Sequence, residues 1–282
     1  MDLLVFVVIA FAGSIGAGTF GALLGLGGGI VVIPLLTLAL GVDIHYAIGA
    51  SLISVLATSS GAAVTFVRQG LANRRLGLFL AVAATVGAVM GASAAAYIAP
   101  QGLYVIFAVV LGLSAFVMSR RRYGELPVET PNHPWSERLG LAGACPDVAG
   151  GQAVPYNVAG VPRAFGAMYF AGLLAGLLGI GGGAIQVPAM DVLMRLPIKA
   201  ASATSNFMLG ITAVASAGIY FARGDIVPVV AGPVAIGVLL GALLGARLLT
   251  HVRGAALRRL YVVVIVVVAL QMAARGVGLH IA

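Results

Sequence analysis

The chain alternates between long apolar stretches and short polar turns. Eight of the apolar stretches approach or exceed the roughly 20 residues that a helix needs to cross a bilayer. They cover residues 3–24, 45–67, 76–98, 103–118, 165–178, 199–221, 226–249 and 260–274. This pattern predicts an all-α, polytopic integral membrane protein.

Two further apolar stretches, residues 30–40 and 184–193, are too short to span a membrane. At a rise of about 1.5 Å per residue, each covers about half of the hydrocarbon thickness. Each follows a glycine-rich run and contains a proline, so we predict broken or re-entrant helices. The span count is therefore about 8–10, with each short stretch forming either a broken crossing or a re-entrant segment beside four spans.

The composition excludes a soluble fold. Residues of the AVILMFWYC set make up 61% of the chain and charged residues only 9%, whereas soluble domains are about half apolar and a quarter charged. The lipid bilayer is therefore an expected partner. The net charge of +8 does not indicate a nucleic-acid partner, because the basic residues flank apolar segments, where they orient a membrane protein.

The chain repeats itself at an offset of 154 residues. Residues 25–34 (GLGGGIVVIP) align with residues 179–188 (GIGGGAIQVP), and the register continues without a gap as far as Met118 and Met272. The intervening region is rich in arginine and proline and is predicted to be a soluble linker. We therefore expect a transmembrane repeat at 1–118, a linker at 119–154 and a second transmembrane repeat at 155–282.

The basic residues indicate that the two repeats are inverted. In the first repeat, six basic residues lie at one end of the spans: Arg68, Arg74, Arg75, Arg120, Arg121 and Arg122. In the second repeat, the ends that correspond to these carry only Arg223 and Arg275. The opposite ends of the second repeat's spans carry six: Arg195, Lys199, Arg247, Arg253, Arg258 and Arg259. Parallel repeats divide these residues almost evenly between the two sides. Inverted repeats place nearly all of them on one side, as the positive-inside rule requires. The linker is then cytoplasmic.

The two glycine-rich runs are the main candidates for a binding site. Unwound backbone at membrane depth is tolerated only where it is buried in protein or lines a cavity. A helix that begins after three glycines presents free N–H groups and a positive dipole end, which favour an anion. Glycines spaced by four, such as Gly87/Gly91 and Gly241/Gly245, are interpreted instead as helix crossings. Paired interruptions in two repeats are typical of a transporter's central site.

The repeated motif resembles the TauE/SafE family of sulfite exporters, also called the sulfonate uptake permease group. The motif is Gly-Leu/Ile-Gly-Gly-Gly-x-x-x-Val/Ile-Pro, followed by AIGAS at residues 47–51 and ASATS at residues 201–205. The resemblance covers both repeats and implies a secondary transporter of the bacterial inner membrane. It implies small sulfur-containing anions, such as sulfite or organosulfonates, as substrates, often moved outward. A channel, or a transporter for a different small anion, stays open as an alternative.

Polar residues beside the glycine-rich runs complete the predicted site. The candidate substrate-binding residues are Gly27, Gly28, Gly29, Ser51, Gly181, Gly182, Gly183, Gln186, Thr204, Ser205 and Asn206. The side-chain hydroxyl and amide groups of the five polar residues in this list either donate to the anion or satisfy backbone carbonyls within the membrane. Gln186 stands where the first repeat has Val32, so we expect an asymmetric site. The run Thr58-Ser59-Ser60 is interpreted as packing.

A few charged residues have candidate roles in proton coupling, anion attraction or helix capping. Asp191 is a candidate for proton coupling, because intramembrane charge is scarce; the alternative is pairing with Arg195 four residues on. Arg68 and Arg223 either attract anions or set topology, and Asp43 is expected to cap the following helix.

Catalytic chemistry has no support in the sequence. HExxH and GxSxG motifs are absent and the four histidines are scattered, so we expect no enzyme, no cofactor and no metal.

Overall fold

Eight long helices coincide with the predicted spans. The computed structural model of the chain describes residues 3–120, 134–146, 153–249 and 251–277. Its helices are α1 (Leu3–Leu24), α2 (Gly29–Pro34), α3 (Ile44–Arg68), α4 (Arg74–Ala94), α5 (Pro100–Arg120), α6 (Pro134–Leu139), α7 (Val161–Leu178), α8 (Gly183–Leu193), α9 (Ile198–Ala222), α10 (Pro228–Leu249) and α11 (Gly254–Gly276). All except α2, α6 and α8 are long and apolar enough to cross a bilayer. The prediction of an all-α polytopic membrane protein is confirmed. Two of the basic residues used for the topology prediction, Arg121 and Arg122, lie outside the described residues.

Each short helix follows a glycine-rich turn. We call residues 25–29 the first glycine segment and residues 179–183 the second. The N-caps of α2 and α8 are Gly28, with φ 71°, and Gly182, with φ 93°. This left-handed conformation is rarely adopted by residues with a side chain, so both turns require glycine. A π-helical turn at Leu35–Ala39 extends α2.

The first glycine segment turns the chain back on itself. Gly28 lies beside Gly21 of α1, and Leu35 lies beside Gly13, about two turns nearer the start of α1. In the second half, Gly160, directly before α7, lies against the carbonyl oxygen of Leu193 at the end of α8. Each glycine segment is therefore the turn of a helical hairpin, α1–α2 in one half and α7–α8 in the other.

Glycines bring the long helices into close contact. Gly241 of α10 lies against Ile15 of α1, and Gly91 of α4 lies against Leu173 of α7, with backbone approaching backbone in both cases. A β-carbon at either glycine would overlap the neighbouring carbonyl group. These contacts fit the interpretation of the glycines spaced by four as helix crossings.

Two further helix pairs complete the bundle. At the centre, Ser59 of α3 donates a hydrogen bond to the carbonyl of Asn206 in α9, at 2.7 Å. At the side, α5 and α11 run antiparallel, because Val105 lies beside Gly276 while Ser114 contacts Tyr261.

The outer surface is apolar, as a lipid-facing surface must be. On α4, the side chains of Leu78, Val82 and Val86 recur every four residues and are each more than half exposed. This spacing places them on one face of the helix, pointing away from the bundle.

A small subdomain lies between α5 and α7. Besides α6 it contains strands β1 (Gly143–Pro146) and β2 (Ala153–Tyr156), which pair antiparallel. The side chain of Asn73, the N-cap of α4, donates hydrogen bonds to the Leu141 carbonyl at 2.7 Å and to the Tyr156 hydroxyl at 3.3 Å. The described part of the linker region therefore packs on the α3–α4 turn. The sequence analysis did not anticipate the strands.

We expect Gly91→Ala to destabilise the protein by about 1–3 kcal/mol, because the added methyl group overlaps the backbone of α7. The matched control is Gly112→Ala on α5, where a β-carbon meets no atom within 4 Å. Thermal unfolding in detergent compares the two variants. Equal melting temperatures would contradict the close α4–α7 contact.

Candidate functional site

The two glycine segments meet at the centre of the molecule. The carbonyl oxygen of Gly25 lies against Gly183, and the carbonyl oxygen of Gly179 lies against Gly29. Both segments contact the middle of α3, where Val55 lies beside Gly27 and Gly181. The glycines of both segments are buried. The structure therefore brings together the two motifs that the sequence places 154 residues apart.

Side chains from each half satisfy the carbonyls of the other half's glycine segment. Ser51 of α3 donates to the Gly179 carbonyl at 2.7 Å, and Ser205 of α9 donates to the Gly25 carbonyl at 2.9 Å. These serines are exactly 154 residues apart, like the glycines that they contact. Both serine side chains are fully buried. The hydrogen bonds tie each irregular turn to the long central helix of the opposite half.

Further polar contacts on the first glycine segment come from both central helices. The side chain of Asn206 donates to the Ala22 carbonyl at 2.9 Å, just before the segment, and Thr58 donates to the Gly27 carbonyl at 3.1 Å. Thr58 also donates to the Ser54 carbonyl within its own helix. The interpretation of Thr58 as a packing residue therefore misses its contact with the glycine segment.

Thr204 lies apart from the glycine segments. Its hydroxyl oxygen accepts a hydrogen bond from the backbone N–H of Asn73 at 3.0 Å. Because Asn73 also holds the subdomain between α5 and α7, Thr204 connects α9 to the α3–α4 turn. Of the run Thr204-Ser205-Asn206, the structure thus brings the last two residues to the first glycine segment.

Two buried amide side chains retain unused hydrogen-bonding capacity. The Oε1 atom of Gln186 accepts from Ser205 at 3.1 Å, but its Nε2 atom has no hydrogen-bond partner among the described residues. The Oδ1 atom of Asn206 is likewise without a partner in the described part of the chain. Both residues are 0% exposed. Buried polar atoms are nearly always paired, so these atoms are candidates to bind a ligand.

Asp191 pairs with Arg258, which the sequence analysis considered only for topology. Its carboxylate lies 3.3 Å from the guanidinium of Arg258 on α11 and is 2% exposed. The expected pairing with Arg195 requires both residues on one helix, but α8 ends at Leu193 and Arg195 has a φ of 58°. The intramembrane charge of Asp191 is therefore compensated from a different helix.

The other charged candidates lie at the ends of the long helices. Arg223 forms an ion pair with Asp225 at 2.8 Å and donates to the Ala92 carbonyl at 2.9 Å, whereas Arg68 is exposed. Asp225, which the sequence analysis missed, is two residues from Arg223, and this spacing within a turn is the signal that could have found it. Asp43 caps α3, as expected, by accepting from the His45 N–H.

The site has no feature of a metal centre in the described residues. No group of three or more His, Cys, Asp or Glu side chains lies close enough there to hold a metal ion. The groups at the glycine segments are neutral hydroxyls, amides and backbone atoms, which suit hydrogen bonding to a small polar ligand.

An all-helical bundle with eight candidate spans and buried polar groups at its centre is typical of a membrane transporter. The family model for the sulfite exporter TauE/SafE family matches residues 9–272. The chain therefore belongs to the TauE/SafE family of membrane transporters. No solved structure matches the chain at a significant level.

Curated relatives agree with this family. A protein described as "Probable membrane transporter protein YunE" from Bacillus subtilis is 27% identical, with 96% of this chain and 98% of the relative covered. "Probable membrane transporter protein YdhB" from the same organism is 27% identical, with 79% and 82% covered. A "Probable membrane transporter protein" from Xylella fastidiosa is 26% identical, with 89% and 88% covered.

We expect Ser51→Ala to destabilise the protein by about 1–3 kcal/mol, because it leaves the buried Gly179 carbonyl without this donor. The control is Ser93→Ala, since Ser93 is exposed and donates only to the Val89 carbonyl of its own helix. Thermal unfolding is the measurement. A Ser51 variant as stable as the Ser93 variant would show that the contact contributes nothing.

Proposed function

We propose that the protein is a secondary transporter of small sulfur-containing anions, sulfite or organosulfonates, and that it exports them across the bacterial inner membrane. One observation carries the proposal within the molecule. The buried Nε2 donor of Gln186 is without a partner among the described residues and lies in the first turns of α8, directly after the second glycine segment. The family supplies the substrate class.

The chemistry of this position favours an anion. The start of α8 carries the positive end of the helix dipole, and glycine lets a ligand approach the backbone closely. The Nε2 atom of Gln186 lies 2.9 Å from the place where a side chain on Gly182 would begin. An oxygen of sulfite or a sulfonate can accept from this amide, while Asn206 Oδ1 can accept from a protonated oxygen or from water.

We assign the binding site to the residues that the sequence predicts. Gly28, Gly29 and Gly181 to Gly183 supply backbone N–H groups, while the Gly27 N–H already reaches the Gly21 carbonyl and Gly27 lets a ligand approach closely. Gln186 and Asn206 supply side-chain polar atoms from the second half, and Ser205 holds the first glycine segment in place through the Gly25 carbonyl. Ser51 is the residue from the first half, and it holds the second glycine segment in place through the Gly179 carbonyl. Thr204 acts at the edge of the site, through its contact with the α3–α4 turn.

Transport by alternating access rests on the proposal that the halves are inverted repeats at residues 1–118 and 155–282. The helices α5 and α11 occupy equivalent places in the two halves, and their antiparallel packing supports opposite orientations. With residues 119–154 as a cytoplasmic linker, the positive-inside rule is satisfied. Rocking of one half against the other then exposes the glycine segments to each side in turn.

Asp191 is the proposed proton-coupling group. It is the carboxylate of α8, the helix that begins at the second glycine segment, and it is nearly fully buried. Protonation would weaken its ion pair with Arg258 and so change how α8 is held on α11. A pH gradient would then drive the change between the conformations that expose the glycine segments to each side of the membrane.

The test uses the purified protein in proteoliposomes, with a panel of sulfite and organosulfonates measured with and without an imposed pH gradient. We expect uptake of at least one sulfur anion and a change in its rate with the gradient. Flux that ignores the gradient and shows no counter-exchange would indicate a channel. Absence of flux for every sulfur anion would reject the substrate class.

We expect Gly28→Leu and Gly182→Leu to abolish transport, because both positions require a left-handed backbone and lie at the meeting point of the glycine segments. The control is Gly218→Leu, where a β-carbon meets no atom within 4 Å and the residue is exposed. Uptake is normalised to the amount of inserted protein. Full activity in either glycine-segment variant would reject the site.

Gln186→Met tests a single side chain more specifically than the glycine variants do, because it replaces the amide by an apolar side chain of similar length. A hydrogen bond to a charged ligand contributes about 1.5–3 kcal/mol, so we expect the half-saturation concentration to rise by about tenfold or more. The unliganded protein should lose little stability, because Nε2 has no described partner and the Ser205 hydroxyl that now reaches Oε1 keeps its bond to the Gly25 carbonyl. The control is Gln271→Met on the exposed face of α11. Unchanged affinity would exclude Gln186 from binding.

A further inference from the structure

A proline leaves one backbone carbonyl of α8 without its helical donor. Pro188 lies inside α8 and has no N–H group. The carbonyl four residues earlier, that of Ala184, therefore lacks its normal intrahelical hydrogen bond. Ala184 is fully buried and follows the second glycine segment directly. An unpaired carbonyl at this depth would be strongly unfavourable, so it needs a partner from another helix.

Two hydroxyl groups from other helices supply that partner. Tyr261 of α11 donates to the Ala184 carbonyl at 2.7 Å, and Ser114 of α5 donates to the same oxygen. The two hydroxyl oxygens are 2.9 Å apart. A carbonyl oxygen has two lone pairs and can accept from both donors. Tyr261 is 0% exposed and Ser114 6%, so water does not compete freely for these bonds.

The same face of α11 also holds the far end of α8. Arg258, one turn before Tyr261, pairs with Asp191, which is seven residues beyond Ala184. The first turn and the last turns of α8 are thus both attached to α11.

The first half lacks the hydroxyl pair. The residues 154 positions from Tyr261 and Ser114 are Phe107 and Val268, neither of which has a hydroxyl group, although Pro34 interrupts α2 as Pro188 interrupts α8. The far end of the first half's short helix is held by different groups. Where Asp191 and Arg258 stand in the second half, the first has Thr37 and Tyr104, whose side chains are hydrogen-bonded. The Thr37 carbonyl also accepts from Arg275 of α11 at 3.0 Å.

We propose that Tyr261, assisted by Ser114, is a positioning residue that fixes the start of α8 and thereby sets the geometry of the second glycine segment for substrate. The inference rests on the proposed function, since it takes Gln186 and the second glycine segment as the binding site. Tyr261 touches no substrate in this arrangement. It acts through the Ala184 carbonyl, two residues before Gln186, while α2 has no corresponding hydroxyl clamp.

The test is a double-mutant cycle between Tyr261→Phe and Pro188→Ala. Tyr261→Phe removes one hydroxyl donor, and we expect the half-saturation concentration for the transported sulfur anion to rise about tenfold. Pro188→Ala supplies an N–H group to the same carbonyl from within α8. In the Pro188→Ala background, Tyr261→Phe should therefore change the half-saturation concentration by less than about twofold. Equal effects in both backgrounds would overturn the proposal.

A second measurement does not depend on transport. Amide hydrogen exchange of the purified full chain should become faster in residues 179–190 of Tyr261→Phe, unchanged in residues 25–36, and restored by Pro188→Ala. The control Tyr169→Phe removes a hydroxyl that contacts the Met90 sulfur at a partly exposed place. It should change neither segment. Unchanged exchange in residues 179–190 of Tyr261→Phe would also overturn the proposal.

The two measurements separate this inference from the proposed function. If the wild-type protein moves no sulfur anion, the proposed function fails and the exchange experiment alone decides the role of Tyr261. If Tyr261→Phe does not fold, Ser114→Ala removes the assisting donor and leaves Tyr261 on the Ala184 carbonyl. It should then give a smaller change in the same direction.

Discussion

Backbone hydrogen bonding inside the hydrocarbon layer is the constraint on which this molecule depends. Lipid offers no hydrogen-bond partner, so each group that leaves a helix must find one within the protein. The chain leaves helical geometry at both glycine segments, in the middle of the bundle. The two halves supply each other's missing hydrogen bonds, because Ser51 and Ser205 each donate to a carbonyl of the opposite half's glycine segment. Neither irregular turn is therefore complete without the other half.

This reciprocity explains why the helices are arranged as they are. To reach the opposite glycine segment, α3 and α9 must both pass through the centre, where Ser59 contacts Asn206. The hairpins α1–α2 and α7–α8 are then held from outside by α10 and α4, through backbone contacts that only glycine permits, as at Gly241 and Gly91. Small residues therefore serve two separate purposes, close helix packing at the edges and backbone irregularity at the centre.

The sequence predicts the long helices well because an apolar run of sufficient length has one stable form in a membrane. It also predicts the glycine segments, since three consecutive glycines before a proline-containing stretch are poorly suited to a continuous helix. It fails where a contact depends on tertiary placement. The pairing of Asp191 with Arg258 joins residues 67 positions apart, and Thr204 faces Asn73 because of how α9 lies beside the α3–α4 turn. Neither contact has a local signal.

The asymmetry of the two halves follows from the same constraint. Both short helices contain a proline, and each proline removes one N–H donor. In the second half, hydroxyls on α5 and α11 satisfy the Ala184 carbonyl. The same half carries the Nε2 atom of Gln186, which has no partner among the described residues. A polar ligand requires fixed donors, because a donor that moves loses more entropy on binding. The half that presents the amide is thus the half whose short helix has its proline-freed carbonyl held by hydroxyl groups.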